Sequence, residues 1–136
     1  MENETGKTGT SLALVDGKEL DAAEQAARDS AHSYTHVFDP PFEFEGESFA
    51  SLSFDWERLT GGDSLAIERE VLAVTGRPVV TPEFSGEYLI RMAVRACATL
   101  RQDGKRKLGA DAYRAMRMSD FNAIRNAARS FLLSRA

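Results

Sequence analysis

The sequence has few of the side chains on which disulfide-bonded and catalytic proteins depend. Its 136 residues include one cysteine, two histidines and one tryptophan. A single cysteine excludes a disulfide within the chain. That residue, Cys97, lies beside Ala96 and Ala98 in a helix-like segment without a basic partner. We therefore predict that Cys97 is a buried, small apolar side chain and not a nucleophile.

The two histidines are the first side chains to test as metal ligands. His32 and His36 are four residues apart, with Asp29 close by, and on a helix this spacing can hold a metal ion. Residues 35–38, however, look extended, and no cysteine or second carboxylate pair completes a ligand set. We therefore predict no metal site and no cofactor.

Sequence motifs of enzymes and of membrane proteins are also missing. We find no activated nucleophile and no pair of carboxylates at a motif spacing, and Gly61-Gly62 is not followed by the Lys-Ser/Thr of a phosphate-binding loop. No apolar run is long enough to cross a bilayer, and the first residues do not resemble a signal peptide. These absences predict a soluble, intracellular protein that is not an enzyme.

Basic side chains are scarce in the first half of the chain, and acidic side chains are scarce near its C-terminal end. Residues 1–63 carry 14 acidic and 4 basic side chains, whereas residues 95–136 carry 3 acidic and 10 basic ones, and the net charge of the whole chain is −4. Such polarity favours head-to-tail self-association or a partner with an acidic surface. Alternatively, the acidic part folds over the basic end of the same chain. Both interpretations are open at this point.

A β-hairpin is predicted for residues 37–56, which contain five of the eight phenylalanines and the only tryptophan. Apolar and acidic residues alternate over 42–45, as they do in a half-buried strand. Gly46 follows and accepts the positive φ of a tight turn. Pro40 and Pro41 donate no backbone hydrogen bond, so we expect the strand pairing to be interrupted there or to lie at an edge.

Helix signals follow the hairpin. Thr60 or Asp63 is expected to cap the first helix, Gly76 to end it, and Thr81 to cap the second helix ahead of Pro82. The predicted fold is α+β: an N-terminal β-hairpin followed by a small bundle of three to four helices, at about 63–75, 82–101, 109–116 and 119–134. Residues 1–34 are predicted to be an acidic tail, disordered or marginally helical, and residues 35–136 to form the folded domain.

Apolar stripes on the predicted helices indicate which side chains face the core. On the first helix the stripe consists of Ile67, Val71 and Val74, widened by Leu65 and Leu72. On the second helix it consists of Leu89, Met92, Ala93, Ala96 and Leu100, with Phe84 and Tyr88 as a second, adjacent stripe. The last helix has one continuous stripe: Phe121, Ile124, Ala128, Phe131 and Leu132.

The order of these parts resembles a known family. The hairpin reads F-E-F-E-G-E-S-F-A-S-L-S-F, the boundary after it D-W-E-R-L-T-G-G-D, the second helix T-P-E-F-S-G-E-Y-L-I-R-M-A-V-R-A, and the last helix M-S-D-F-N-A-I-R-N-A-A-R-S-F-L-L. Over residues 37–133 this arrangement resembles the tail assembly chaperones of long-tailed phages and related prophage elements. The acidic N-terminal part lies outside the pattern.

The resemblance implies a role in virion assembly. A chaperone of this family binds the tape measure protein, a very long helical polypeptide, and keeps it soluble and extended. It also promotes polymerisation of the tail tube protein around the tape measure protein. It works in the cytoplasm of the bacterial host and is absent from the mature virion. Because one small chain covers only a short part of such a client, we expect many copies to bind along it and to self-associate weakly.

Contact with a client helix requires apolar side chains that the folded chain leaves uncovered. The partner-binding candidates are Phe84, Tyr88, Phe121, Phe131 and Leu132. The competing hypothesis is a small nucleic-acid-binding or regulatory protein that acts through its basic C-terminal region, where residues 105–107 (K-R-K) are placed to contact phosphates. The last helix, however, has an apolar face along its whole length and the chain is acidic overall, so we expect no specific binding of nucleic acid.

Overall fold

The architecture is an α+β fold, which confirms the predicted class. The computed structural model describes residues 32–134. Two antiparallel strands come first, β1 (Ser33–Phe44) and β2 (Glu47–Asp55). Four helices follow: α1 (Gly61–Thr75), α2 (Gly86–Ala96), α3 (Ala110–Arg114) and α4 (Met118–Ser134). The predicted tail, residues 1–34, lies outside the described residues up to position 31, and Ser33 and Tyr34 already belong to β1.

The hairpin closes through a turn at Glu45 and Gly46. Both residues have positive φ, 52° and 82°, which is the geometry that matches the right-handed twist of paired strands. The pairing is regular from Ser33 to Val37, shifts between Val37 and Phe42, and then resumes. The shift contains the two prolines, which confirms the predicted interruption. The hairpin begins four residues earlier than position 37.

One face of the hairpin supplies much of the core. The two-residue period of a sheet places His36 and Phe38 of β1, and Leu52 and Phe54 of β2, in the buried layer. Phe49 is also buried, although it precedes Leu52 by three residues, because the pairing register shifts between them. Within residues 32–134, the largest fully buried side chains belong to this core: Leu52, Phe54, Trp56, Ile67, Leu89, Cys97, Leu108, Tyr113 and Ile124. The burial of Cys97 agrees with its prediction as a core residue.

Helix α1 begins with a capping box. The Thr60 side chain accepts a hydrogen bond from the Asp63 N–H, and the Asp63 carboxylate accepts one from the Thr60 N–H at 2.8 Å. The helix ends at Gly76 in the left-handed conformation, as predicted. Of its predicted apolar stripe, only Ile67 and Val71 are buried.

The prediction that Leu65, Leu72 and Val74 face the core is wrong, because all three are exposed. Helix α1 lies at the edge of the molecule and packs its inner side on α2. A helix with one neighbour buries a narrow stripe, and apolar residues outside that stripe remain in contact with water.

The predicted second helix is interrupted and ends early. Pro82–Phe84 form a 3-10 turn, and α2 begins after Ser85, whose Oγ accepts a hydrogen bond from the Tyr88 N–H. Ser85 is therefore the cap, whereas Thr81 makes no capping hydrogen bond. The helix stops at Ala96 because the next residues pair with β2: the Ala98 N–H donates to the Ser53 carbonyl at 2.7 Å.

This early end changes the position of Leu100, which is exposed and not part of the core stripe. The rest of that stripe, Leu89, Met92, Ala93 and Ala96, is buried as predicted. On α4, Ile124 and Ala128 are buried, whereas Phe121, Phe131 and Leu132 are half-buried. Within residues 32–134, no helix combines the length and the apolar character needed to cross a bilayer.

Candidate functional site

An exposed apolar groove lies between the end of α1 and the start of α2. Its volume is about 310 Å³, and we name it the 71–85 groove after its lining: Val71, Thr75, Arg77, Pro78, Val79, Val80, Thr81, Phe84 and Ser85. Val80 and Phe84 are exposed, and 72% of the Phe84 surface is accessible to water. A large aromatic side chain this exposed is unusual for a residue that flanks a core helix.

The Phe84 ring is held in place although it faces water. The Arg129 guanidinium lies over the ring, 6.0 Å from its centroid, and the Arg129 Nε donates to the Glu83 carbonyl at 2.8 Å. The ring sits at the end of the 3-10 turn of Pro82–Phe84. This wall of the groove is therefore preorganised, which lowers the entropy cost of binding a partner there.

Tyr88 does not belong to the 71–85 groove, and the prediction that it shares an uncovered stripe with Phe84 is wrong. It is 4% exposed, and its hydroxyl forms a hydrogen bond with the Ser64 Oγ at 2.8 Å. In one unbroken helix, Phe84 and Tyr88 would share a face, because they are four residues apart. Because the helix is interrupted at Ser85, the two side chains do not share a face: Phe84 is exposed to solvent and Tyr88 is buried in the core.

The three candidates on α4 line two other grooves. Phe131 and Leu132 border a groove of about 170 Å³ together with Ile67, Tyr88 and Met92, and the Phe131 ring stacks on Trp56 with centroids 6.4 Å apart. These contacts make Phe131 a half-buried edge of the core.

Phe121 borders a third groove, of about 570 Å³, with Met116, Met118 and Arg125. The Arg125 guanidinium lies 5.6 Å from the Phe121 ring centroid. Phe121 and Phe131 are about 15 Å apart along the axis of α4. The structure therefore brings Tyr88, Phe131 and Leu132 together in one groove and places Phe84 and Phe121 in two others.

The exposure of apolar side chains on α1 was missed by sequence reasoning. Leu72 and Val74 are predicted in the core, whereas both are exposed. A signal for their exposure exists in the sequence of α1. Its apolar residues occupy more of the helix circumference than one buried face can cover, so some of them had to remain exposed.

The basic residues of the C-terminal region are mostly paired within the chain. Arg95 contacts Asp63 and Glu70, each at 2.8 Å. Arg101, a largely buried side chain, contacts Glu45 at 2.8 Å and Glu47 at 3.2 Å. Further pairs are Arg106–Asp103, Arg114–Glu87 and Arg117–Asp120.

These pairs shift the pKa values of the carboxylates involved. The pKa of Asp63 is lowered, first by the Thr60 N–H and then by Arg95. The pKa of Glu47 is also lowered, first by the Gln102 N–H. Carboxylates of the hairpin and of α1 thus neutralise cations of the C-terminal third. This arrangement leaves less positive charge for nucleic acid.

A polar chain joins the hairpin to α4. The His36 Nε2 forms a hydrogen bond with the Asp120 Oδ1 at 2.7 Å, and the Tyr34 hydroxyl forms one with the His36 Nδ1 at 2.8 Å. Burial, followed by the charge of Asp120, raises the pKa of Tyr34. These residues are buried or half-buried, so the chain serves to fix the hairpin on the helix.

The two histidines are not placed to share an ion. Residues 33–44 form a strand, as expected from the extended character of residues 35–38, and four residues of strand span roughly 13 Å. His32 contacts Glu57 instead. In the part of the chain that the structure describes, no group of three or more His, Cys, Asp or Glu side chains is arranged to hold a metal ion.

Comparison of the chain with models of protein families, with curated proteins and with solved structures gave no match.

Proposed function

We propose that this chain is a tail assembly chaperone of a long-tailed phage or of a related prophage element. In this role it binds the tape measure protein in the host cytoplasm, keeps it soluble and extended, and promotes polymerisation of tail tube protein around it. The resemblance of residues 37–133 to that family is the origin of the proposal. It requires a surface for helices and does not require a catalytic site.

The observation that carries the proposal is the 71–85 groove. It combines a concave apolar floor at Val71 and Val79 with exposed apolar walls at Val80 and Phe84. Amphipathic helices bind in such grooves by inserting apolar side chains at spacings of three and four residues. A repetitive helical client offers these spacings many times, so several copies of this chain have room to bind along it.

The nucleic-acid alternative receives less support from the structure. Five arginines of the C-terminal region, starting with Arg95 and Arg101, form ion pairs with carboxylates of the same chain. Phosphate contacts would have to replace these pairs, and affinity for nucleic acid rests on free cations that release counterions.

The test is co-expression with the expected client, a tape measure protein from the same genome. Three substitutions provide a matched set: Phe84→Ser in the 71–85 groove, Met118→Ser in the Phe121 groove, and Val37→Ser on the outer face of the hairpin. The three side chains have nearly equal exposure, 72%, 76% and 69%, so none of the changes should disturb the core.

We expect Phe84→Ser to lower the yield of soluble client, and the two matched variants to leave it unchanged. If Met118→Ser alone lowers the yield of soluble client, the client binds in the groove lined by Phe121. If the unmodified chain does not solubilise the client, the proposed function is wrong.

A further inference from the structure

A cationic pocket lies on the side of the molecule where α1 begins and α2 ends. Its volume is about 360 Å³, and its lining residues are Arg58, Asp63, Val94, Arg95 and Lys107. The three cations come from separate segments: the turn after β2, the last turn of α2, and the loop before α3. The tertiary fold therefore brings them together, and no local sequence motif marks the pocket.

The charges of the pocket are only partly balanced. Arg95 is neutralised by Asp63 and Glu70. The Lys107 Nζ donates to the Arg95 carbonyl at 2.8 Å, which is a neutral acceptor. Within residues 32–134, no carboxylate pairs with Arg58 or with Lys107. Arg58 and Lys107 thus contribute two positive charges without an ion-pair partner in this part of the chain, while Asp63 adds one negative charge to the same surface.

Arg58 and Lys107 line the same pocket. Burial lowers the pKa of Lys107, and repulsion by the Arg58 charge lowers it further. Two like charges held together in a partly desolvated site favour an anion between them. Lys107 keeps two N–H donors after its contact with the Arg95 carbonyl, and the Arg58 guanidinium offers a planar fork of donors.

We propose that this pocket binds a phosphate dianion, either as the free ion or as the terminal group of a small phosphate monoester. Its two negative charges attract both Arg58 and Lys107, whereas a carboxylate carries only one charge. A guanidinium fork can bind two phosphate oxygens, and an ammonium group supplies a point charge for a third. The proposal is independent of the chaperone function, since Phe84 and the 71–85 groove take no part in it.

Asp63 determines where the ligand sits. Its carboxylate accepts hydrogen bonds from the Thr60 N–H and from the Arg95 Nη1, both at 2.8 Å. The carboxylate repels an anion from the Arg95 side, so the phosphate is bound on the side of Arg58 and Lys107. Val94 forms an apolar part of the lining and strengthens the electrostatic attraction by excluding water.

The experiment is an NMR titration of the full chain with sodium phosphate at constant ionic strength, at about pH 7, where a phosphate group carries most of its second charge. We expect saturable shifts confined to backbone amides around the pocket. Arg58→Gln removes an exposed side chain without an ion-pair partner in the described residues, so it should fold normally and bind phosphate about tenfold more weakly.

Lys105→Gln is the control, because it makes the same change of charge at an exposed position two residues from Lys107 and should leave the affinity unchanged. Sulfate should compete with phosphate, whereas acetate, with one charge, should not. Glycerol phosphate separates the two sources: binding equal to that of inorganic phosphate indicates a monoester ligand, and binding of inorganic phosphate alone indicates the free ion.

Three results would overturn the proposal: shifts that do not saturate, an affinity that Arg58→Gln leaves unchanged, or equal binding of acetate. A single-stranded oligonucleotide is the last probe. The oligonucleotide could bind more tightly than phosphate, shift amides over the whole C-terminal region and bind equally well to Arg58→Gln. That combination would show that the surface recognises nucleic acid and that the pocket is not a separate site.

Discussion

The opposite positions of Phe84 and Tyr88 lead to a sharp prediction for stability. Phe84 is 72% exposed and Tyr88 is 4% exposed, although both are aromatic and only four residues apart. Phe84→Ser removes little buried surface and one exposed contact with Arg129, so we expect a loss of less than about 1 kcal/mol in the free energy of unfolding.

Tyr88→Ser leaves a cavity beside Ile67 and Met92, and it removes the hydrogen bond to Ser64. Replacing a buried aromatic side chain by a small one costs about 3–5 kcal/mol. This amount is a large part of the total stability of a small domain, about 5–15 kcal/mol. A double substitution at positions 84 and 88 would therefore report on unfolding and not on a binding surface.

Urea denaturation followed by tryptophan fluorescence measures both variants, because Trp56 is the only tryptophan and is fully buried. Tyr88→Phe is the control: it keeps the ring, loses the hydroxyl, and should cost about 1 kcal/mol. If Phe84→Ser is as destabilising as Tyr88→Ser, Phe84 belongs to the core and the helix is not interrupted at Ser85.

Three further predictions concern pH and single contacts. The pKa of Asp63 is lowered in the folded chain. Its carboxylate therefore stabilises the fold fully above the unfolded pKa of about 4, and this stabilisation is lost as the pH falls through the folded value. In an acid titration, Asp63→Asn should lose stability less steeply than the unmodified chain. Gly76→Ala should cost about 1 kcal/mol because φ is positive there, whereas Gly61→Ala, at the first position of α1, should be neutral or stabilising in thermal denaturation. Asp120→Ala leaves a buried His36 nitrogen without its partner and should cost about 1–3 kcal/mol in urea denaturation; a cost near zero would show that the pair does not hold the hairpin on α4.

Much of the fold follows from local signals that the sequence contains. The alternation around Phe42 and Phe44 and the glycine at position 46 specify a hairpin because both act over a few residues. Gly76 ends α1 for the same kind of reason. The class and the order of the elements were therefore predictable.

The end of α2 and the exposed face of α1 depend on long-range contacts. The helix stops at Ala96 because Ala98 pairs with Ser53, 45 positions earlier in the numbering, and nothing in the sequence near Leu100 indicates that pairing. Leu72 remains exposed because α1 has its packing partner on one side only. Periodicity shows which residues share a face, but it does not show how many faces have a neighbour.

The candidate surface was predictable in part. Phe84 is exposed, as a partner-binding residue has to be, whereas Tyr88 is buried because a cap at Ser85, and not at Thr81, sets the phase of the helix. Lys107 belongs to the K-R-K run whose sequence suggests phosphate contacts, but nothing in the sequence indicates that Arg58 and Arg95 join it, because these residues meet only in the folded structure.

Co-purification with the client tests the central claim most directly. The chain is co-expressed with the expected client, a tape measure protein from the same genome, and the amount of soluble client that elutes with a tag on this chain is measured. The account predicts a complex with several copies of the chain per client, and a markedly lower yield for Phe84→Ser than for Val37→Ser. A client that remains insoluble with the unmodified chain, or that is solubilised equally by both variants, would contradict it.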